Sequence, residues 1–143
     1  MSGNQHFGGR MAFAPTGHLF VTAGERNLQT PAQDMGQTLG KIVRLNADGS
    51  VPGDNPLGGT AGARPEIWSL GHRNPYGLAF DSAGRLWEQE MGPEGGDEFN
   101  LITRGGNYGW PNVSNGSHYG GGNIPHPAAG DGYDAPPTWG TPR

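Results

Sequence analysis

The chain of 143 residues contains no cysteine, which excludes disulfides, thiolate metal sites and a cysteine nucleophile. Lysine occurs once, against eight arginines, and no basic stripe is present that could follow a phosphate backbone. Nucleic acid is therefore not expected as a partner. No run approaches the roughly 18 apolar residues of a membrane helix, and the first residues lack the apolar core of a signal peptide.

Apolar residues are also scarce, at 32%, while glycine and proline are abundant, with 28 and 13 residues. No window keeps an apolar spacing of three and four residues without a glycine or proline interrupting it, so helices are not expected. Short aromatic and aliphatic runs between turn-forming residues predict an all-β structure. The predicted strands cover residues 10–14, 18–23, 41–45, 66–69, 77–80 and 85–89.

Two of these segments repeat one another at a constant offset of 67 residues. Each has an apolar pair, three residues, a glycine, one residue and a second apolar pair: Ala12-Phe13, Gly17, Leu19-Phe20 and Ala79-Phe80, Gly84, Leu86-Trp87. A repeated strand, glycine turn and strand is typical of propeller blades, and long inserts would explain a period above the usual value of about 40 to 50 residues. The alternative is two unrelated hairpins with the same turn chemistry.

The run Gly71-His72-Arg73-Asn74-Pro75 connects two predicted strands. Because proline biases the preceding residue toward an extended backbone, this connection presents the Arg73 and Asn74 side chains at a sheet end. A guanidinium beside an amide suits a ligand with carboxylate or carbonyl groups. The residues alone favour the alternative, an asparagine that caps its turn and an arginine that pairs with a surface carboxylate.

An acidic, glycine-rich turn follows, in which four carboxylates lie between Glu90 and Glu98. Calcium prefers about six to eight oxygen ligands, and such a turn offers carboxylates and exposed carbonyls. It does not match the EF-hand pattern. A solvated acidic turn is the alternative that the spacing leaves open.

The five histidines are scattered, and none forms a pair at the spacing of a zinc site. His6 differs from the others because Gly8-Gly9 follows it, in a tight loop directly before a predicted strand. An imidazole in such a loop can face a ligand and act as a base near neutral pH.

Seven blocks of the sequence, taken in order, resemble the glucose/sorbosone dehydrogenase family, and in particular its bacterial soluble aldose sugar dehydrogenases that use pyrroloquinoline quinone (PQQ). The blocks are His6-Phe7-Gly8-Gly9-Arg10, Gly40-Lys41-Ile42-Val43-Arg44-Leu45, Asp54-Asn55-Pro56, Gly71-His72-Arg73-Asn74-Pro75, Gly92-Pro93, Gly96-Asp97-Glu98 and Gly106-Asn107-Tyr108-Gly109-Trp110-Pro111.

The resemblance implies a six-bladed β-propeller, of which residues 1–143 would form a single fragment of two to three blades. Residues 112–143 would be its loop-rich, truncated end, and the first blades and the quinone contacts from later blades would be missing. A ring with missing blades cannot hold an active site in place, so we expect little or no turnover from the fragment alone.

The resemblance also implies the oxidation of an aldose at C1 to the lactone, with PQQ and calcium (Ca²⁺) as cofactors and an external electron acceptor. A general base would remove the proton of the C1 hydroxyl while hydride passes to the quinone. Family members are periplasmic or secreted, and the resemblance is compatible with a homodimer of the full-length protein.

Site residues follow from the matching positions. The resemblance implies His6 as the general base, and Arg73 and Asn74 as quinone-binding residues together with Gln5. Gln5 stands where the glucose-oxidising branch has an aspartate, so an orienting role of that carboxylate would be lost or replaced by an amide.

For the metal, the resemblance implies that the backbone carbonyls of Gly92 and Pro93 hold the active-site calcium. Glu98 and Tyr108 match positions that bind a second, structural calcium. A competing interpretation is a propeller of the same fold that serves as a non-catalytic interaction module. The presence of His6, Arg73 and Asn74 together disfavours it, since a binding module does not need that combination.

Overall fold

A computed structural model describes residues 3–134, which form seven strands in two sheets and one short 3-10 turn at Thr30–Ala32. Of the loop-rich end expected at residues 112–143, residues 135–143 lie outside the described ones. The strands are β1 (Gly8–Phe13), β2 (Leu19–Ala23), β3 (Lys41–Leu45), β4 (Ile67–Leu70), β5 (Pro75–Phe80), β6 (Leu86–Glu90) and β7 (Glu98–Ile102).

The first sheet has the order β1-β2-β3-β4, and every pair in it is antiparallel. Side chains alternate along β2, where Phe20 and Thr22 are buried and their neighbours are half-buried. This period of two is what a strand with one covered face requires. The predicted strands of this sheet are confirmed to within three residues at each end.

The second sheet has the order β5-β6-β7, again antiparallel. The repeat seen in the sequence corresponds to the same hairpin in both sheets. Ala14 N donates to His18 O at 2.8 Å in the first, and Asp81 N donates to Arg85 O at 3.0 Å in the second. The interpretation as two unrelated hairpins is therefore wrong, because each one forms the first two strands of its own sheet.

Strand β7 was not predicted from the sequence. The acidic turn was expected to include Glu98, but Glu98 already pairs with Glu90 across β6 and β7. The covered face of β7 carries two polar residues, Glu98 and Asn100, and one apolar residue, Ile102. The apolar residues of the sequence therefore do not mark the covered face of this strand. The turn itself is limited to residues 91–97.

The core lies between the two sheets. Phe20 and Ile42 of the first sheet pack with Leu78, Leu86 and Ile102 of the second, all at most 9% exposed. Burial of each such side chain contributes about 1.5–3 kcal/mol. Because this packing places β1 beside β5, the segment before β1 and the segment before β5 meet at one end of the sheets.

Two polar contacts hold that end together. The Thr22 hydroxyl donates to the Pro75 carbonyl at 3.0 Å and accepts from Arg10 N at 3.0 Å. Glu25 N donates to Arg73 O at 3.0 Å.

No helix among residues 3–134 is long and apolar enough to cross a membrane.

Candidate active site

A cleft of about 660 Å³ opens where the segments before β1 and β5 meet. It brings together five of the residues expected at the site: Gln5, His6, Arg73, Asn74 and Pro93. The other side chains that line it are Asn4, Phe7, Asn27, Gln29, Tyr76, Met91, Trp110, His118 and Tyr119. Gly92, Glu98 and Tyr108 do not line this cleft.

His6 lies in the loop before β1, as predicted, and is 8% exposed. Its φ of 52° is in the left-handed region, which a residue with a side chain rarely adopts. Such backbone strain is found where a surrounding structure holds a functional side chain in place. The group that holds the imidazole is Glu25, whose Oε1 pairs with His6 Nδ1.

Glu25 is fully buried, and its second oxygen accepts hydrogen bonds from the backbone N–H groups of Leu28 and Gln29. Both oxygens are thus occupied, which fixes the carboxylate and, through it, the imidazole. The carboxylate that orients His6 comes from a different strand connection, 19 residues later. The exposed amide of Gln5 makes no such contact, so the carboxylate on His6 comes from Glu25 and not from the position of Gln5.

Sequence reasoning missed Glu25. Its only sequence signal is the preceding glycine, because Gly24 lies against the backbone of the loop that carries His6. A Cβ on Gly24 would be 2.0 Å from His6 O. Only glycine allows two backbone segments to lie this close. The close contact places the next residue, Glu25, beside the imidazole of His6.

Arg73 forms the other side of the cleft and is 7% exposed. Its Nη1 donates to the carbonyls of Met91 at 2.9 Å and Gly92 at 2.7 Å. The guanidinium also lies over the ring of Trp110, 5.3 Å from its centroid. Burial lowers the pKa of Arg73, although the nearby Glu25 charge acts in the opposite direction. The interpretation as a surface ion pair is wrong for this residue.

The loop that carries Arg73 and Asn74 is fixed from below by Glu90 at the end of β6. Glu90 Oε2 accepts from Arg73 N at 2.6 Å and from Asn74 N at 3.0 Å, and Oε1 pairs with His72 Nδ1 at 3.3 Å. The other ring nitrogen of His72 pairs with the Ser69 hydroxyl at 2.9 Å. A single buried carboxylate therefore fixes the backbone from which both side chains extend to the cleft.

Three buried polar atoms at the cleft have no partner among the described residues: Arg73 Nε, Asn74 Oδ1 and Trp110 Nε1. Buried polar groups in native proteins are nearly always satisfied, so an unpaired set indicates a missing ligand or water. Two donors and one acceptor at a cleft of this size fit a polar ligand.

The turn between β6 and β7 includes the two residues expected to hold calcium. A Cβ on Gly92 would be 1.7 Å from Gly96 O, so this position requires glycine. Gly92 O accepts from Arg73 Nη1, and Pro93 O accepts from Gly96 N at 2.9 Å. Each carbonyl oxygen keeps a second lone pair, which is compatible with a cation ligand.

Glu98 lies behind the cleft in a cluster of buried carboxyl groups. Asn100 Nδ2 donates to both Glu98 and Glu88 at 3.1 Å. Burial, and then the neighbouring Glu90 charge, raises the pKa of Glu98 to about 8 and that of Glu88 well above its ordinary value. A cation bound to Glu98 would act against this shift, because it favours the ionised carboxylate.

Tyr108 is buried in the core and stacks on His72 at 4.8 Å between ring centroids. Its hydroxyl donates to Leu101 O at 2.6 Å and accepts from Thr103 N at 2.9 Å. Burial raises the pKa of the phenol to about 12, so the hydroxyl stays protonated. Any metal contact from this residue would have to use its backbone carbonyl.

Comparison with known proteins gives one family. The family description "Glucose / Sorbosone dehydrogenase" matches residues 1–143. Among characterised relatives, the aldose sugar dehydrogenase YliI of Escherichia coli (strain K12) is 48% identical over 126 residues, which are 87% of this chain. The chain spans 34% of the length of that relative.

Solved structures agree. The apo-form of the soluble aldose sugar dehydrogenase from Escherichia coli is 41% identical, with a TM-score of 0.92 over 97% of this chain and 41% of that one. The PQQ-bound form of aldose sugar dehydrogenase from Streptomyces coelicolor is 36% identical, with a TM-score of 0.75 over 94% of this chain and 36% of that one. The two sheets are accordingly blades of a partial β-propeller, and the predicted fold class is confirmed.

Proposed function

The chain belongs to the glucose/sorbosone dehydrogenase family, and from this we propose that it forms part of a PQQ- and calcium-dependent enzyme that oxidises aldose sugars at C1 to the lactone. The observation that carries the proposal is the convergence of His6, Arg73 and Asn74 on one cleft, each held by a buried carboxylate. Three residues that the sequence separates by up to 68 positions thus face one ligand.

The residues present fit the quinone. Arg73 and Asn74 would hold it, with the unpaired Arg73 Nε and Asn74 Oδ1 as the free donor and acceptor. Gln5 lines the same cleft, and we propose it as a further contact to the quinone. When bound, PQQ supplies the acceptor for the two electrons and the C1 hydrogen of the sugar, which leave together as hydride.

The proton chemistry belongs to His6. A Glu25 carboxylate on Nδ1 keeps that nitrogen protonated, so Nε2 has the lone pair that accepts the proton of the C1 hydroxyl. As the imidazole becomes positively charged, the buried Glu25 stabilises it. Arg73 stabilises negative charge that develops on the opposite side of the cleft.

The carbonyls of Gly92 and Pro93 would hold the active-site calcium, where it acts as a Lewis acid. What supports this is the glycine-dependent turn and the second lone pair on each oxygen. Glu98 and Tyr108 remain proposed positions of a second, structural calcium on the basis of the resemblance, with the Tyr108 carbonyl as the ligand because its hydroxyl is occupied.

The partners of the full-length protein follow from the same family. We propose an aldose as the substrate, an external electron acceptor that reoxidises the enzyme, and a location in the periplasm or outside the cell. The oligomeric state proposed for testing in the full-length protein is a homodimer. Residues 1–143 on their own are proposed to turn over little or no sugar, since they span 34% of the length of an active relative.

The test is a titration of the full-length protein with PQQ and calcium, followed by a dye-linked assay on a panel of aldoses. Aldose-dependent dye reduction that needs both cofactors and is lost in His6→Ala supports the proposal. Full turnover by His6→Ala would overturn the role of this residue. Calcium binding without quinone binding or turnover would favour the interaction-module alternative, and sedimentation velocity on the same sample gives the oligomeric state.

A further inference from the structure

A glycine hairpin carries two aromatic side chains to the cleft. Ser117 forms bridges with both Glu94 and Asn123, and the tip is closed by His118 N, which donates to Gly122 O at 3.0 Å. The three glycines at 120–122 have φ values of 88°, 99° and 112°, which residues with side chains rarely adopt. The tip is therefore built to turn sharply, directly after Tyr119.

Tyr119 is 66% exposed. Its ring lines the cleft, and the centroid lies 5.9 Å from the Arg73 guanidinium carbon. The neighbouring His118 packs edge-on against Trp110 at 6.4 Å, which anchors the hairpin at this position. One part of the tyrosine ring thus faces a cation while the rest faces open space in the cleft.

The two walls of the cleft differ in their prevailing side chains, although Phe7 lines the cleft next to His6 and the Asn74 amide lies next to Arg73. The wall around Glu25 carries amide side chains, including Gln5, Asn27 and Gln29, beside the His6 imidazole. The wall around Arg73 carries the aromatic rings of Trp110 and Tyr119. A ligand that fits between them needs hydroxyl groups on one side and a flat apolar face on the other.

An aldopyranose has this pair of surfaces, because its hydroxyl groups project from the ring edge while its C–H groups form an apolar face. We propose that Tyr119 is a specificity-determining residue, whose ring packs against the C–H face of the aldose while the amides of the opposite wall contact its hydroxyl groups. The inference rests on the proposed function of the site. It concerns binding of the sugar and assigns no step of the reaction to Tyr119.

The experiment compares Tyr119→Ala and Tyr119→Phe in the full-length protein. Loss of the ring is expected to raise KM for the preferred aldose about tenfold with kcat changed less than about twofold, because an aromatic contact of this kind acts on binding. The Tyr119→Phe variant keeps the ring and is expected to retain the KM of the parent. Asn123→Ala, on the same hairpin but outside the cleft, is the matched control.

The dissociation constant of PQQ, measured on each variant by quinone absorbance, separates the outcomes. An unchanged KM in Tyr119→Ala would overturn the inference while leaving the proposed function intact. Weaker quinone binding with an unchanged KM would also overturn it, since the ring would then serve Arg73 and not the sugar. A parent protein that binds PQQ but oxidises no aldose removes the proposed function and the inference together.

Discussion

Glu25 holds the imidazole of His6 through Nδ1, although the two residues belong to different connections of the first sheet. The carboxylate is itself fixed by two backbone N–H groups in a loop where Arg26, Asn27 and Gln29 all have positive φ. A loop under such backbone strain is stable only when its surroundings over-determine it. The Glu25 carboxylate holds this loop in place, because it accepts hydrogen bonds from two of its backbone N–H groups.

Replacement of Glu25 by glutamine is expected to lower kcat by roughly 10²- to 10⁴-fold, because an amide neither stabilises the imidazolium nor enforces the required tautomer. Quinone affinity should change little, since Arg73 and Asn74 are held by Glu90. Glu66→Gln, at a carboxylate that pairs with the exposed Arg64, is the control. Parent-level turnover in Glu25→Gln would show that His6 needs no orienting partner.

Glu90→Ala is expected to weaken quinone binding by about 10- to 100-fold, because it removes the one oxygen, Oε2, that accepts from both backbone donors of the loop. The affected donors are Arg73 N and Asn74 N, at 2.6 Å and 3.0 Å. Quinone titration measures the effect, with the exposed Glu94→Ala as control. If the affinities of the two variants are equal, the loop does not depend on Glu90.

Gly92→Ala tests the calcium turn. A Cβ 1.7 Å from Gly96 O forces the turn to move, so we expect calcium to bind at least about tenfold more weakly, as measured by calorimetry. Gly95→Asn is the matched control in the same turn, since its φ of 77° is tolerated by asparagine and no atom lies near its Cβ position. Equal calcium affinity in Gly92→Ala and the parent would exclude the carbonyls of this turn as ligands.

The raised pKa of the buried Glu88 carboxyl group predicts that the free energy of unfolding depends on pH. Burial raises the pKa of its carboxyl group well above the ordinary value of 4.5, so above pH 4.5 the folded state keeps a proton that the unfolded state has lost. The free energy of unfolding therefore falls as pH rises above about 4.5, by up to about 1.4 kcal/mol per pH unit and per group. Urea denaturation at several pH values measures this slope.

Glu88→Gln keeps the shape of the protonated side chain and should reduce the slope. It should not abolish the slope, because the pKa of Glu98 is raised to about 8 and contributes in the same direction. The exposed Glu94→Gln should keep the parent slope. Identical slopes in Glu88→Gln and the parent would mean that Glu88 is ionised in the folded protein.

Much of the fold could be predicted from the sequence because its signals are local. A glycine turn such as Gly17 or Gly84, flanked by apolar pairs, requires only its own backbone conformation and its neighbours. Strand β7 could not be predicted, since the buried face of Glu98 and Asn100 is polar and its partners, Glu88 and Glu90, lie on another strand. The hydrogen bonds that allow these polar side chains to be buried, from Asn100 to Glu88 and Glu98, form only once β6 and β7 have paired.

The sequence by itself determined the all-β class, the repeated hairpin and the family, and through the family the roles expected of His6, Arg73 and Asn74. Only the tertiary structure decided what holds those side chains. Glu25 and Glu90 carry no motif of their own, and they orient the site because β1 lies against β5 and β6 ends under the loop that follows β4. Both carboxylates are buried, and an unpaired buried charge is costly. Their oxygens therefore accept hydrogen bonds from backbone N–H groups and pair with histidine rings.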